Sequence, residues 1–344
     1  GREAGMTAPP GSRFAGQVVR FAAPLLRIRY PDGVYVGLTG FPEWTPYARA
    51  VVELPPPPPA AAADQVRVVD VLTANAVLAK TGDPLWEHVD GAGPVSTPDG
   101  WAWAHLGASR QIALLPVEAY AGFRHAGGIA TLGLPRRADS EPSPEAATVP
   151  VVPAGTATGQ DLTGQDLAAL ERSLGAPLPP GYREFLASTN GGRPGMPAIS
   201  PGFGFLADQS FFGFGRRDWF RNVDYVRQWL SDRFTDDFLP VGHVQGGTLA
   251  VRLRGPDAGS VWYHDDDDPR DDDSYDVSVV TANLLRRCAD NFAGFLSSLR
   301  PVPGEWWRAA RLLADDGRVR LVTGPGQGLA LPTDRRAPAE QGEA

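Results

Sequence analysis

The alternation of hydrophobic and polar positions predicts both strands and helices along this chain. In the first half, YARAVVEL, WAWAHL, QIALLPV and VVRFAAPLLRIRY have the β-branched and aromatic content of strands. The segment VVDVLTANAVLAK, which begins at Val68, has apolar residues at helical spacing, and VEAYAGFRHAGG predicts a helix that ends at Gly127. We therefore expect helices and strands to be interspersed, as in an α+β fold.

The second half shows the same mixture of patterns. Leu167, Leu170 and Leu174 line one face of a predicted helix, which Thr163 or Asp166 could cap at its start. LPPGYREFLASTNGG predicts a second helix, and VVTANLLRRCADNFAGFLSSL predicts one long amphipathic helix. TLAVRLRG and SVWYHD predict a β-hairpin around PDAG.

Chain length and composition indicate two domains joined by a linker. The chain has 344 residues, enough for two ordinary domains. The segment from Arg136 to Gln160 is rich in Pro, Ala, Ser and Thr without a helical or strand period, as in a linker. We therefore predict domains at 14–135 and 161–328, a linker at 136–160 and a disordered tail at 329–344.

The charge balance disfavours several classes of protein. The formal net charge is −8, and most of the acidic excess lies between residues 151 and 300, so neither half has the basic excess of a nucleic-acid binder. Cys288 is the only cysteine, which excludes an intramolecular disulfide framework. The sequence shows no membrane span and no secretory signal, so we expect a cytoplasmic protein. No nucleotide-binding motif is present, and we predict no cofactor.

Two segments of the C-terminal half carry an ordered pattern of Leu, Gly, Pro and aromatic residues. LGAPLPPGYREFLASTNGG resembles the opening of the SUKH superfamily, and FLPVGHVQGGTLAVRLRG with GSVWYHD is similar to its second conserved segment. The matching residues are Leu174, Gly175, Leu178, Pro179, Tyr182, Phe185, Leu186, Asn190, Gly191, Gly192, Leu239, Pro240, Gly242, Gly246, Gly247, Gly259, Val261 and Tyr263. The resemblance implies a mixed sheet covered by helices, used as a binding scaffold and, in bacteria, widely as an immunity module against toxins.

An acidic run is the unusual surface feature of this half. It comprises Asp265, Asp266, Asp267, Asp268, Asp271, Asp272, Asp273 and Asp276. Such a run is compatible with a solvated loop or with a docking surface for a basic partner, whose association complementary charge would speed. Calcium binding is a third alternative, although Arg270 stands where an EF-hand loop needs Gly. We take Asp265, Asp266, Asp267, Asp268, Asp271, Asp272 and Asp273 as the predicted partner-binding site.

The N-terminal half contains a second set of ordered motifs. They are GFPEWTPYA from Gly40, Asp70 with Ala74 and Asn75, TPDGWAWAH from Thr97, and IALLPVEAYAGFRHAGG from Ile112. Their order resembles the WHH-type branch of HNH nuclease toxin domains over about residues 33–130. The resemblance implies a ββα-containing domain in which His residues hold a divalent metal and one His activates water.

This chain departs from the WHH motif at the residues that perform the chemistry. The resemblance places His105 at the general-base position and His125 at a metal-ligand position, but Ala104 and Tyr120 stand at two further ligand positions. A methyl group cannot bind a metal, and a neutral phenol is a poor ligand. We therefore predict a non-catalytic domain with a vestigial site.

Two alternatives for the nuclease-like half stay open. Glu118, or Glu87 and His88, could act as substitute ligands, or Ala104 could be an engineered inactivation of a real toxin. The predicted function is thus a toxin-immunity or interaction protein whose SUKH domain binds a protein with a basic surface, such as a nuclease toxin. The alternatives are a metal-dependent WHH-type endonuclease, active or engineered to be inactive, restrained by its SUKH domain, and a SUKH regulatory scaffold with no link to toxins.

Overall fold

A computed structural model of the chain describes residues 12–86, 95–107, 109–135, 147–152, 161–215, 219–268, 270–271 and 276–323. Helices and antiparallel sheets alternate in these ranges, which confirms the predicted α+β class. No helix among them is long and apolar enough to cross a membrane. The predicted tail at 329–344 and most of the predicted linker lie outside the described residues.

The described part of the N-terminal half contributes strands to two small sheets, with one helix between the strands of the first sheet, one between strands of the second, and a third helix after the last strand. In chain order the elements are β1 (Gln17–Val19), α1 (Pro24–Arg29), β2 (Val34–Val36), β3 (Ala50–Glu53), α2 (Ala63–Ala79), β4 (Trp101–His105), β5 (Gln111–Pro116) and α3 (Val117–Gly122). A 3₁₀ helix at Gly128–Leu132 follows α3. The order β4, β5, α3 is the ββα arrangement that the WHH resemblance implies.

The C-terminal half contains the remaining elements. They are β6 (Val151–Val152), α4 (Gly164–Leu174), α5 (Pro180–Thr189), β7 (Arg193–Pro194), β8 (Ala198–Ile199), β9 (Leu206–Ala207), α6 (Val223–Trp229), β10 (Phe238–Val244), β11 (Gly247–Arg252), β12 (Val261–Asp265), α7 (Val277–Leu284), β13 (Leu285–Ala289), α8 (Phe292–Ser298), β14 (Arg300–Pro301), α9 (Gly304–Ala314) and β15 (Arg320–Thr323). The first two helices and the hairpin of β11 and β12 occur where the sequence predicts them.

Local sequence signals explain how α4 begins and ends. The Thr163 hydroxyl accepts a hydrogen bond from the backbone N–H of Asp166 at 3.2 Å, and the Asp166 carboxylate accepts one from the Thr163 N–H at 2.8 Å. This reciprocal capping box satisfies backbone donors that the first turn leaves unpaired. Gly175 ends the helix in the left-handed region at φ 62°, which glycine adopts without steric cost.

Three sequence expectations about elements are wrong. PLLRIR within the predicted N-terminal strand is helix α1, because Pro24 is well suited to the first helical turn. The predicted helix of VEAYAGFRHAGG ends at Gly122 rather than at Gly127, since the chain becomes extended at Phe123. The long helix predicted before residue 300 is α7, β13 and α8, because β13 pairs with β12 and Asn291 caps a new helix.

The main C-terminal sheet has the strand order β10-β11-β12-β13, and every pairing in it is antiparallel. The sheet that the family resemblance implies to be mixed is therefore antiparallel throughout in these described strands. Tyr182, Phe185 and Phe292 pack ring against ring between α5 and α8. The residues of the family-like motif thus build the core of this half.

The two halves share one hydrophobic core. Buried Ala104, Leu115 and Tyr120 from the N-terminal half belong to the same cluster as Val226 and Val241 from the C-terminal half. The described part of the predicted linker contributes β6, which pairs with β7. The domain limits at 14–135 and 161–328 stay a prediction, but the structure places the two halves in direct and extensive contact.

The segment after β14 packs on the N-terminal half. Trp306 and Ala310 of α9 are buried in a second core with Leu72 of α2 and Val52 of β3. Strand β15 adds to the N-terminal sheet, whose order is β15-β3-β5-β4. These residues therefore pack on the N-terminal half and complete its sheet and its second core.

Candidate functional site

The ββα element places the predicted site residues on two faces. Because side chains alternate along a strand, Trp103 and His105 lie on one face of β4 and Ala104 on the other. Ala104 faces the core shared by the two halves, whereas Trp103 faces the second core. The structure therefore separates Ala104 from His105, although they are adjacent in sequence.

The three ligand positions lie on the side of the shared core. Ala104 is 1% exposed, and the ring of Tyr120 lies 4.9 Å from the ring of His125. His125 Nδ1 lies 2.6 Å from the carbonyl oxygen of Phe123, and burial lowers the pKa of the His125 imidazole. The N-terminal half thus brings one methyl group, one phenol and one imidazole to the ligand positions.

His105, at the general-base position, belongs to a separate ion network. Its Nε2 lies 3.0 Å from Asp70 Oδ2, and Arg110 donates two hydrogen bonds to Asp70, at 2.8 and 3.0 Å. His105 and Tyr120 both line a small crevice between the halves. Its other wall is the 3₁₀ helix, where a side chain at Gly128 would meet the His105 carbonyl oxygen at 2.3 Å. The crevice therefore needs glycine at this position.

The residues at this site do not fit a divalent metal. The candidate substitute Glu118 is buried, and its carboxylate accepts hydrogen bonds from Arg29 at 2.9 Å, Tyr30 at 2.5 Å and Tyr225 at 2.7 Å. Burial raises its pKa, although Arg29 opposes this. Nowhere among the described residues do three His, Cys, Asp or Glu side chains form a group that could hold a metal ion. The other proposed substitutes, Glu87 and His88, lie outside those residues.

The acidic segment 265–271 lies against the nuclease-like half. Asp267 forms an ion pair with Arg67 of α2 at 2.7 Å and accepts a hydrogen bond from the Ala130 N–H at 3.2 Å. The Gly127 N–H donates to the Asp266 carbonyl oxygen at 3.0 Å. These contacts cover the loop that follows α3 and carries His125.

The remaining described carboxylates of this segment are also engaged. Asp271 accepts two hydrogen bonds from Arg124, at 2.6 and 3.1 Å, and both side chains are more than nine-tenths buried. Asp265 pairs with Arg286, and Asp268 with Arg270 at 2.6 Å. Asp265, Asp266, Asp267, Asp268 and Asp271 therefore each contact a basic side chain of the same chain. Asp272 and Asp273 lie outside the described residues.

Asp266 is the centre of a buried polar group between the halves. Burial opposes its ionisation, but the contact with His264, whose Nδ1 lies 3.5 Å from Oδ1, and the charge of Arg233 lower its pKa to about 2. Paired strands place His264 beside Thr248 and Thr248 beside His243, and the ring of His243 lies 6.1 Å from that of Tyr120. Burial lowers the pKa of His243 to about 4, so this imidazole is neutral at pH 7.

A second buried polar contact joins the halves at the start of β4. Asp208 accepts hydrogen bonds from the Thr97 N–H at 2.8 Å and the Thr97 hydroxyl at 2.6 Å. Gln245 donates to Asp208 at 3.3 Å and accepts from the Trp103 N–H at 3.2 Å. Burial raises the pKa of Asp208 to about 6, although the hydrogen bonds from Thr97 oppose this. The C-terminal half thus contacts β4 along most of its length.

Comparison with known families agrees with this geometry. Residues 161–298 match the SMI1/KNR4 family (SUKH-1), and residues 93–133 match a nuclease family of the HNH/ENDO VII superfamily with conserved WHH. The chain therefore carries a SUKH domain, of a class that binds proteins in immunity, and a WHH-type nuclease domain, as the sequence predicts. No curated protein and no solved structure matches the chain.

Several residues that build the site were not found from the sequence. Arg67 and Arg124 bind the acidic segment, and Asp208 and Gln245 bind β4 and the residues before it. Arg124 and Gln245 stand inside the quoted motifs but were not singled out, whereas Arg67 and Asp208 lie outside those motifs. One signal was present: Arg67 and Asp70 interrupt an otherwise apolar stretch of α2. Charges in a buried helix need partners, so these two residues could have been predicted to form ion pairs.

We predict that the buried pair of Arg124 and Asp271 is strongly coupled. Either Arg124→Ala or Asp271→Ala leaves one charge buried without its ion-pair partner, which costs about 3–5 kcal/mol of unfolding free energy. The double variant should lose much less than the sum of the two. Urea unfolding of all four proteins measures the coupling. The same cycle on the exposed pair Lys80–Asp315 should give at most about 1 kcal/mol, and an equal coupling at both pairs would contradict the burial of the interface.

We also predict a pH dependence caused by Asp208. Burial raises its pKa in the folded protein from the ordinary value of 3.8 to about 6, so the folded protein binds the proton more tightly than the unfolded chain between about pH 4 and pH 6. The contribution of Asp208 to stability is therefore present below pH 4 and is lost as pH rises through 6. The urea midpoint of wild type relative to Asp208→Asn should fall across this range, with exposed Asp315→Asn as the control. A relative midpoint that stays flat or rises would contradict the raised pKa.

Proposed function

We propose that this protein acts by binding, as a member of a toxin-immunity type of system, and that its SUKH domain covers a non-catalytic nuclease-like domain of the same chain. The observation that carries the proposal is the position of segment 265–271. It lies on the loop that bears His125 and contacts Tyr120, so it occupies the side of the ββα element where a metal site would have to form.

The side chains at the ligand positions support the absence of catalysis. Tyr120 is fully buried, and burial together with the nearby Asp266 and Asp267 raises its pKa well above the usual value. The phenol therefore stays protonated and can donate a hydrogen bond to Asp266 but is a poor metal ligand. A nuclease of this class needs the metal to stabilise charge on the phosphate, and His105 without a metal would lose most of the rate.

The charge pattern supports recognition within the chain. The sequence predicted an external protein with a basic surface as the partner of the acidic run. Within the chain, Arg67 and Arg124 of the nuclease-like domain form ion pairs with Asp267 and Asp271. A toxin as an external partner is a part of the proposal that rests on the family resemblance, and a cytoplasmic location is a part that rests on the sequence expectation. An external protein would have to use another surface or displace the nuclease-like domain.

A specific observation favours one second candidate, an endonuclease that its SUKH domain restrains. His105 keeps a carboxylate partner, Asp70, and lines the crevice with Arg67. A His oriented by an acid is a competent general base when its substrate can reach it. In that case the SUKH domain, which covers the nuclease-like domain, would block the access of substrate to a catalytically competent site.

A plasmid-cleavage assay with Mg²⁺, Mn²⁺, Ni²⁺ and Zn²⁺ separates these functions. We expect no cleavage by wild type, and none by Asp267→Ala/Asp271→Ala, in which the cover is weakened. Under the second candidate, the weakened variant should cut DNA and lose that activity on His105→Ala. That outcome would overturn the proposal.

A matched variant tests why the domain is inactive. Ala104→His/Tyr120→His restores the family's ligand types, and we expect it to bind Ni²⁺ or Zn²⁺ by calorimetry where wild type does not. Circular dichroism controls for folding. Tight metal binding by wild type at this site would contradict the loss of the ligands.

A further inference from the structure

The segment that follows the SUKH match lies on the opposite half of the molecule. The match ends at residue 298, and α9 and β15 follow it within residues 302–323. Val302, at the start of the segment, is buried in the second core, which otherwise consists mainly of residues from α2, β3, β4 and β5. The chain thus returns to the elements that precede the SUKH domain.

Helix α9 packs along α2 through one face. Trp306 and Ala310 are buried, whereas Leu312 on the same helix is 69% exposed. The Thr73 hydroxyl of α2 lies 3.4 Å from the carbonyl oxygen of Ala310. At the end of the pair, Lys80 of α2 donates to Asp315 at 2.6 Å. This interface therefore combines apolar burial with hydrogen bonds along the length of both helices.

Strand β15 completes the sheet that carries the nuclease motif. It pairs antiparallel with β3, in the register Arg320 to Glu53 and Leu321 to Val52, and Arg320 donates to Glu53 at 2.9 Å. Since β3 pairs on its other side with β5, β15 protects an otherwise open edge. The ββα element lies in the same sheet and depends on that edge.

We propose that residues 302–323 are a strap that belongs to the N-terminal unit. That unit is then discontinuous, formed by the described residues within 12–135 and 302–323, and the SUKH domain is an insertion in it. The C-terminal end of the SUKH domain is fixed by α9 and β15 to the unit that it covers, which restrains the cover from swinging away as a lid does. The inference concerns permanence of the cover and holds whether or not the nuclease-like domain is catalytic.

Limited subtilisin digestion with peptide mapping tests the strap. Trp306→Ala should speed cleavage within α2 and β3 more than tenfold, while α4 and α5 keep their wild-type rates, because proteolysis reports local opening. Exposed Leu312→Ala is the matched control and should behave as wild type. Faster cleavage in α4 and α5, with α2 and β3 unchanged, would show that the segment supports the SUKH domain instead.

A second pair of variants applies if Trp306→Ala does not fold. Leu321→Ala on β15 removes a side chain packed on the second core, and Val322→Ala beside it removes one that is 53% exposed. Only the first should speed cleavage of β3. In wild type, the stretch Gly127–Leu132 should be cut no sooner than α2. Early cleavage there would mean that the cover opens as a lid and would overturn its permanence.

Discussion

The structure depends on one constraint: the carboxylates of segment 265–271 are taken out of water and need partners. Asp267 and Asp271 find them in Arg67 and Arg124, which belong to the other half of the chain. A buried charge without a partner costs several kcal/mol, so these pairs fix the orientation of the halves more than they add to stability. The shared hydrophobic core buries the apolar surface between the halves, and the ion pairs determine how the halves are oriented relative to each other.

The same constraint bears on the positions that the family resemblance assigns to metal ligands. Where the family places metal-binding imidazoles, this chain has Ala104 and Tyr120. Both side chains pack in the shared core, and the Tyr120 hydroxyl also forms a hydrogen bond with Asp266. Small and aromatic residues can be buried beside a carboxylate, whereas a charged metal centre there would need ligands of a kind that Ala104 and Tyr120 do not supply. His105 lies on the other face of β4, in a separate network with Asp70.

Much of the fold could be predicted because its signals are local. Short segments of sequence determine the N-terminal cap at Thr163, the C-terminal cap at Gly175 and the ββα motif. The SUKH and WHH regions can likewise be identified from ordered motifs. The direction in which the acidic run faces could not be predicted, because Arg67 is 200 residues away from Asp267 in sequence. The return of Trp306 to α2 is equally non-local, and amphipathicity alone does not say which half its helix covers.

Amide hydrogen exchange at Gly127 tests the central claim most directly, that the SUKH domain covers the nuclease-like site. This N–H donates to the carbonyl oxygen of Asp266 across the interface, in a loop that has no regular structure of its own. The account predicts protection by about a thousandfold or more, close to that of the core strands, since exchange would require the halves to separate. Exchange as fast as in an exposed loop, in a protein whose β10 and β11 stay protected, would contradict it.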